Sequence, residues 1–245
     1  AACETIRERL RPIAAKLLGA ALEEVLFADG EVFARTRPAE RLPFAKVAAR
    51  AHLEQVSLSA TGYYRTPGIH YDRAAGRGQP FHYFAYGAAV VEVEVHGLTG
   101  EHRLRQVDIL HDCGRSLVPS IDLGQVEGGF IQGYGWLTCE EVIFDDRGFL
   151  RTHSPDTYKI PAFGDVPEAF NVRHLENAPQ GNTLHGSKAV GEPPLMLAIG
   201  AVTALRQAIA AFGLPGREVK LRIPCTPEAI LLAIEDAKAA RDGGA

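Results

Sequence analysis

The segment Gly186-Ser187-Lys188-Ala189-Val190-Gly191-Glu192-Pro193-Pro194 concentrates more potential chemistry than any other stretch of the chain. Glu192 stands between a glycine and two prolines, directly ahead of an apolar run, residues 195–212, that reads as a buried helix. The glycine lets the main chain lie close against a neighbour, and the prolines fix the direction in which it leaves. A carboxylate held there is under two opposed influences, because the dipole of the following helix favours the anion and burial favours the neutral acid. A group so balanced is a candidate general base. The same residues also allow Glu192 simply to cap the helix or to pair with Lys188.

A second constellation is Ser120-Ile-Asp-Leu-Gly-Gln-Val-Glu-Gly-Gly-Phe-Ile-Gln-Gly-Tyr-Gly-Trp-Leu137. Ile121, Val126, Phe130, Ile131 and Tyr134 form a helical stripe, with Ser120 or Asp122 as possible N-cap. Gly124, Gly128, Gly129, Gly133 and Gly135 each cost about 1 kcal/mol against Ala in a helix interior. Either tight packing against a sheet or close approach of a ligand can recover that cost. His111-Asp112-Cys113 and Arg65 are further polar candidates, for which a structural hydrogen bond is the simpler role, and Gln132 reads as a packed polar residue. Cys3, Cys113, Cys139 and Cys225 have no C-x-x-C spacing, so no protein-ligated metal is expected and the thiols fit a reducing, cytoplasmic setting. With 26 Lys and Arg against 30 Asp and Glu and no basic run, nucleic acid and anionic membranes are poor partners. No uninterrupted apolar run approaches the roughly 20 residues of a membrane span.

The elements that must position these groups are mixed. Ile6, Leu10, Ile13 and Leu17 predict an uncapped helix over 4–18, followed by a short strand over 31–37 and a helix over 45–53 with Pro43 near its start. Period-two alternation predicts a strand over 84–96, a turn over 97–100 and a partner strand over 103–111. A second hairpin is expected from 138–144 and 149–152 around Asp145-Asp146-Arg147-Gly148, and a later strand over 170–175. Thr226 and Pro227 open a terminal helix, and the tail 241–245 is expected to fray. Strands and helices without regular βαβ alternation give an α+β class, with hairpin-rich sheets packed with helices. Residues 1–53 read as a mainly helical lead-in and 54–245 as the α+β body. With Ala at position 1 and one methionine, Met196, the chain is expected to be a piece of a longer polypeptide.

Five blocks resemble a known family in order. They are the 186–194 segment, Val56-Ser-Leu-Ser-Ala-Thr-Gly-Tyr-Tyr-Arg-Thr-Pro67, Pro80-Phe-His-Tyr-Phe-Ala-Tyr86, Ile121-Asp-Leu-Gly-Gln-Val-Glu-Gly128 and Thr157-Tyr-Lys-Ile-Pro-Ala-Phe163. Together, over residues 1–240, they resemble the C-terminal molybdopterin-binding lobe of the molybdenum hydroxylase large subunit. Tyr64-Arg65-Thr66-Pro67 is more similar to the xanthine dehydrogenases than to the aldehyde oxidases. The resemblance implies insertion of water-derived oxygen into a C–H bond of a purine such as hypoxanthine or xanthine, with Glu192 as general base. It implies that Gln125 contacts the pterin and Gly191 the metal centre through its backbone. Lys188 reads as a solvated or salt-bridged residue, or one that orients the loop, and not as a participant in the chemistry. Molybdenum is then held by the pterin, and no Cys or His of this chain is a metal ligand. It further implies an upstream part of the same subunit carrying the substrate pocket, iron-sulfur clusters and FAD on other domains or subunits, a homo-oligomeric complex, and no activity in the isolated fragment. Two alternatives remain open at this point: an aldehyde oxidase or other heterocycle hydroxylase, and a non-catalytic assembly module whose Gly-rich helix packs on a protein partner.

Overall fold

The computed structural model describes residues 1–243, in two compact units, Ala1–His82 and Tyr83–Ala245. Helices and small sheets of mixed direction make the class α+β, as the pattern predicts. The division falls after residue 82, where the sequence pattern suggested 53, and the first 53 residues hold both expected helices together with more strand than expected. Helix α1, Ala2–Leu18, and helix α2, Phe44–Leu53, share one core with a face of a three-stranded antiparallel sheet of β1 (Val25–Ala28), β2 (Glu31–Ala34) and β3 (Arg37–Pro43). The missed signal is Asp29-Gly30, whose positive φ angles of 50° and 76° make the tight two-residue turn between β1 and β2. Leu10, Ile13 and Leu18 of α1 pack with Val25, Val32 and Val47, whereas Leu17, expected on that face, is exposed. Strands β4 (His70–Asp72) and β5 (Arg77–Gln79) form a small exposed hairpin.

The second unit is built on the predicted hairpin of β6, Gly87–Val95, and β7, His102–His111. Strand β8, Ala169–His174, adds to β7 in parallel, with His174 opposite His111, so the sheet is mixed. The second predicted hairpin reduces to one bridge, Phe144–Leu150. Its turn is closed locally, because the Asp145 carboxylate accepts from the backbone N–H groups of Arg147 (2.9 Å) and Phe149 (3.0 Å), and helix α3, Pro119–Thr138, takes only Thr138 from the expected strand before it.

Pro119 occupies the first turn of α3, and neither Ser120 nor Asp122 caps it. Asp122 instead braces the preceding turn, accepting from Ser116 Oγ at 2.5 Å and Leu117 N at 3.2 Å. Val126, Phe130 and Tyr134, four residues apart, bury one stripe of α3 against Leu104, Val107 and Ile109 of β7. Each such side chain contributes about 2 kcal/mol on removal from water.

The predicted helix over 195–212 is a 3₁₀ segment, Pro193–Ala198, continued by α4, Ile199–Ala210. Two successive prolines lack N–H groups, which favours the tighter start. Only one side is buried, through Ala198, Ala201, Val202, Leu205 and Ile209, while Met196 and Ile199 are exposed. By length and composition Pro193–Ala210 could cross a membrane, but its inner face belongs to two core clusters, as in a core helix. Helix α5, Pro227–Gly243, packs Ile230 and Ile234 on α4, and Thr226 caps it, accepting from Ala229 N at 3.3 Å. Of the tail expected to fray, residues 241–243 are helical and 244–245 lie outside the described residues. Trp136, at the end of α3, lines an apolar groove with Leu195, Met196, Ile199 and Ile223.

Candidate functional site

The five glycines of α3 divide into two sets. On the inner side, a Cβ at Gly129 would stand 3.0 Å from Pro194 Cβ, and one at Gly133 would collide with the Leu195 carbonyl oxygen and lie 2.8 Å from Ala198 Cβ. Gly135 is closed off separately, by Pro161 and the Glu140 side chain. Gly129 and Gly133 form a notch into which the 3₁₀ segment sinks. Gly124 and Gly128 have nothing within 4 Å of a Cβ and share an open face with the exposed residues Ile121 and Gln125. The packed glycines thus lie against the 3₁₀ segment and Pro161 and not, as the packing alternative had it, against a sheet, while Gly124 and Gly128 leave their face of the helix open.

The 186–192 loop is anchored on the end of β7. Lys188 N donates to Cys113 O (2.8 Å), Arg115 N donates to Gly186 O (2.8 Å), and Gly114 bridges Ser187. Gly114 has φ +65° and a Cβ there would press on Gly186 O, so this crossing requires glycine. Ala189 N donates to the Tyr83 hydroxyl at 2.9 Å. Beneath the loop, Lys188 Nζ donates to Asp112 Oδ2 at 2.5 Å and to Phe84 O at 3.0 Å, with the two charged side chains 6% and 9% exposed. Burial pushes the Asp112 carboxyl up, but the Lys188 ammonium and the Gly114 N–H together outweigh it and hold the group below the usual carboxylate range.

At the far end of the loop, Gly191 carries no side chain and the Gln125 amide oxygen lies 3.1 Å from where its Cβ would be. Gln125 and Gly191 thus meet beside α3, and Glu192 is the next residue in the chain. Glu192 sits at the N-cap position of the 3₁₀ segment, and its carbonyl accepts from Leu195 N at 3.1 Å, but its carboxylate makes no capping bond. Nor does it pair with Lys188, which is committed to Asp112. Among the described residues the Glu192 carboxylate has no hydrogen-bond or ion-pair partner and is exposed, contrary to the burial expected of it.

Other candidates resolve differently. Asp112 is structural in the way expected, but its partnership with Lys188 was not legible, since 76 residues separate them. His111 is 1% exposed and its Nδ1 has no partner, so the expected hydrogen bond at that nitrogen is absent. Cys113 is buried, and burial pushes its thiol up. Gln132 is exposed and not packed, and Arg65 lies in the other compact unit. Among the described residues no three His, Cys, Asp or Glu side chains are grouped to hold a metal ion.

Comparison with known proteins gives a consistent picture. The sequence profile of the molybdopterin cofactor-binding domain matches residues 1–167. The xanthine dehydrogenase/oxidase of Felis catus is 43% identical over 241 residues, covering 96% of this chain and 16% of its own length. The xanthine dehydrogenase of Dictyostelium discoideum is 46% identical over 194 residues, 76% of this chain and 14% of that protein. The chain therefore spans about a sixth of the length of these curated relatives. Among solved structures, quinoline 2-oxidoreductase of Pseudomonas putida 86 superposes with a TM-score of 0.70 at 31% identity, over 96% of this chain and 28% of that one.

Proposed function

Because this chain belongs to the molybdopterin cofactor-binding domain family, we propose that it is one lobe of a molybdenum hydroxylase that hydroxylates a purine such as hypoxanthine or xanthine. The names of the relatives support the reaction class and the purine. The site residues fit the cofactor: the open Gly124–Gly128 face admits a flat ring system, and the Gln125 amide can both donate to and accept from a pterin edge. When bound, the molybdenum cofactor supplies two-electron redox chemistry and acidifies water.

The chain's own contribution is Glu192. Its unpartnered, exposed carboxylate, held between two prolines and the glycine that meets Gln125, is the single observation that carries this reading. An anion with no competing donor is free to accept a proton, and a fixed backbone keeps it in one place while it does so. Gly191 brings the main chain within reach of the same site. In the complete enzyme, Glu192→Gln is expected to lower kcat by about two to four orders of magnitude with molybdenum content unchanged. Activity near wild type would assign Glu192 a merely structural place.

The substrate pocket, in this reading, is completed by the upstream part of the same subunit. Iron-sulfur clusters and FAD on other domains or subunits carry electrons away, and the complex is a homo-oligomer. The isolated chain is then inactive. Four unpaired cysteines support a cytoplasmic location. The likeness to quinoline 2-oxidoreductase favours a second reading, another N-heterocycle as substrate. Turnover of the complete enzyme on a panel of purines, quinoline and aldehydes separates the two, and a parent complex without molybdenum or pterin would point to an assembly module.

A further inference from the structure

A buried ion pair is an expensive way to hold two segments together. Removing two charges from water offsets much of their mutual attraction, and well-packed apolar side chains usually stabilise a fold as well. The Lys188–Asp112 pair is sealed at 6% and 9% exposure, and it joins three separate stretches of chain. Lys188 belongs to the loop, Asp112 to the exit of β7, and Phe84, whose carbonyl takes a second Lys188 proton, to the stretch before β6. The ammonium also lies 5.5 Å from the centre of the Tyr86 ring. Asp112 spends its other oxygen on Gly114 N at 2.9 Å, so the carboxylate is aimed by both of its atoms.

This pair stands four residues before Glu192. The intervening residues, Ala189, Val190 and Gly191, are too few to absorb a displacement, since three residues span at most about 10 Å when extended. On the other side, Pro193 and Pro194 run into the notch at Gly129 and Gly133. Glu192 is thus slung between two rigid anchors, one ionic and one steric. The steric anchor sets its position along α3. The ionic anchor sets the direction from which the backbone arrives, and a flexible apolar side chain in place of Lys188 would leave that direction free.

We propose that the Lys188–Asp112 ion pair is a positioning element that fixes the approach of the main chain carrying the Glu192 carboxylate, acting on the reaction only through Glu192. The inference rests on Glu192 being the general base, and the test separates the two. In the complete, cofactor-loaded enzyme, Lys188→Met is expected to lower kcat about 100-fold with KM within about threefold, the size of effect a 1 Å misplacement produces. Amide exchange of the 186–192 peptide should accelerate about tenfold, a readout independent of turnover. In a Glu192→Gln background, Lys188→Met should cost less than about twofold more, because a residue that acts through Glu192 has nothing left to act on. An equal loss in both backgrounds overturns the proposal. So does unimpaired Lys188→Met beside an inactive Glu192→Gln, which leaves the base assignment standing. An active Glu192→Gln refutes the base assignment itself and this inference with it. Should Lys188→Met fail to accumulate, the neutral pair Asp112→Asn with Lys188→Met removes the stranded charge, and wild-type turnover in that variant likewise overturns the proposal.

Discussion

Substituting alanine at Gly133 and at Gly128 makes the same chemical change, five residues apart on one helix, and the structure predicts opposite results. At Gly128 no atom lies within 4 Å of the new methyl, so the helix gains the ordinary preference for alanine, about 1 kcal/mol. At Gly133 the same gain is present, but the methyl would collide with the Leu195 carbonyl oxygen and stand 2.8 Å from Ala198 Cβ. Neither is the far end of a flexible side chain, so the 3₁₀ segment must lift off α3 as a body. Overpacking of this kind costs about 3 kcal/mol at the upper end of its usual range, leaving a net loss of about 2 kcal/mol. The two variants should therefore differ by about 3 kcal/mol. For a cooperative unit of this size that separates their midpoints by about 6–12 °C in thermal unfolding followed by circular dichroism, with Gly128→Ala above wild type and Gly133→Ala below. Since Leu195 N is bonded to Glu192 O, lifting the segment also moves the candidate base, and Gly133→Ala in the complete enzyme should lose turnover even at temperatures where it stays folded. Equal stability of the two alanine variants would refute the reading of α3 as one packed face and one open face.

Two other measurements probe the buried groups. Burial, reinforced by His174 and Lys188 and opposed by Asp112, lowers the pKa of His111 below 6.5, so its contribution to stability is intact above pH 6.5 and is lost as pH falls below it. The slope from one such histidine reaches at most about 1.4 kcal/mol per pH unit. His111→Met should flatten urea-unfolding stability between pH 7 and pH 5, and an unchanged slope would assign the dependence elsewhere, with His102, whose pKa burial also lowers, the next group to replace. Cys3 is exposed while Cys113 and Cys225 are buried, the Cys225 thiol being pushed up to about 11 by burial. A thiol reagent should therefore modify Cys3 in the native chain and reach Cys113 and Cys225 only on unfolding; rapid native labelling of either would contradict the packing.

What was legible in the sequence follows from how local each signal is. The hairpin of β6 and β7, the stripe of α3 and the Thr226 cap each rest on patterns of a few residues, and they formed, except that Ile121 of the expected stripe is exposed and only Val126, Phe130 and Tyr134 are fully buried. Asp29-Gly30 was equally local and was passed over, which is why a three-stranded sheet stands where a single strand was expected. The single helix expected over 195–212 began as a 3₁₀ segment because Pro193 and Pro194 lie just ahead of it. The nearness of Gln125, Gly191 and Glu192 came from resemblance and not from spacing, because the contact is made across 66 residues by the glycine notch. The Lys188–Asp112 pair was out of reach for the same reason. Nothing in either local sequence marks one charge as the partner of the other, and only the fold brings them under the loop.

The groove at the end of α3 has one more consequence. Trp136 is the sole indole of the chain, and it stands 59% exposed against Leu195 and Met196, on the segment that begins next to Glu192. Its emission is therefore a single-site optical gauge of the seam between α3 and the 3₁₀ turn, undiluted by any other tryptophan. A shift in that one band would register movement of the main chain that carries the candidate base, with no label attached.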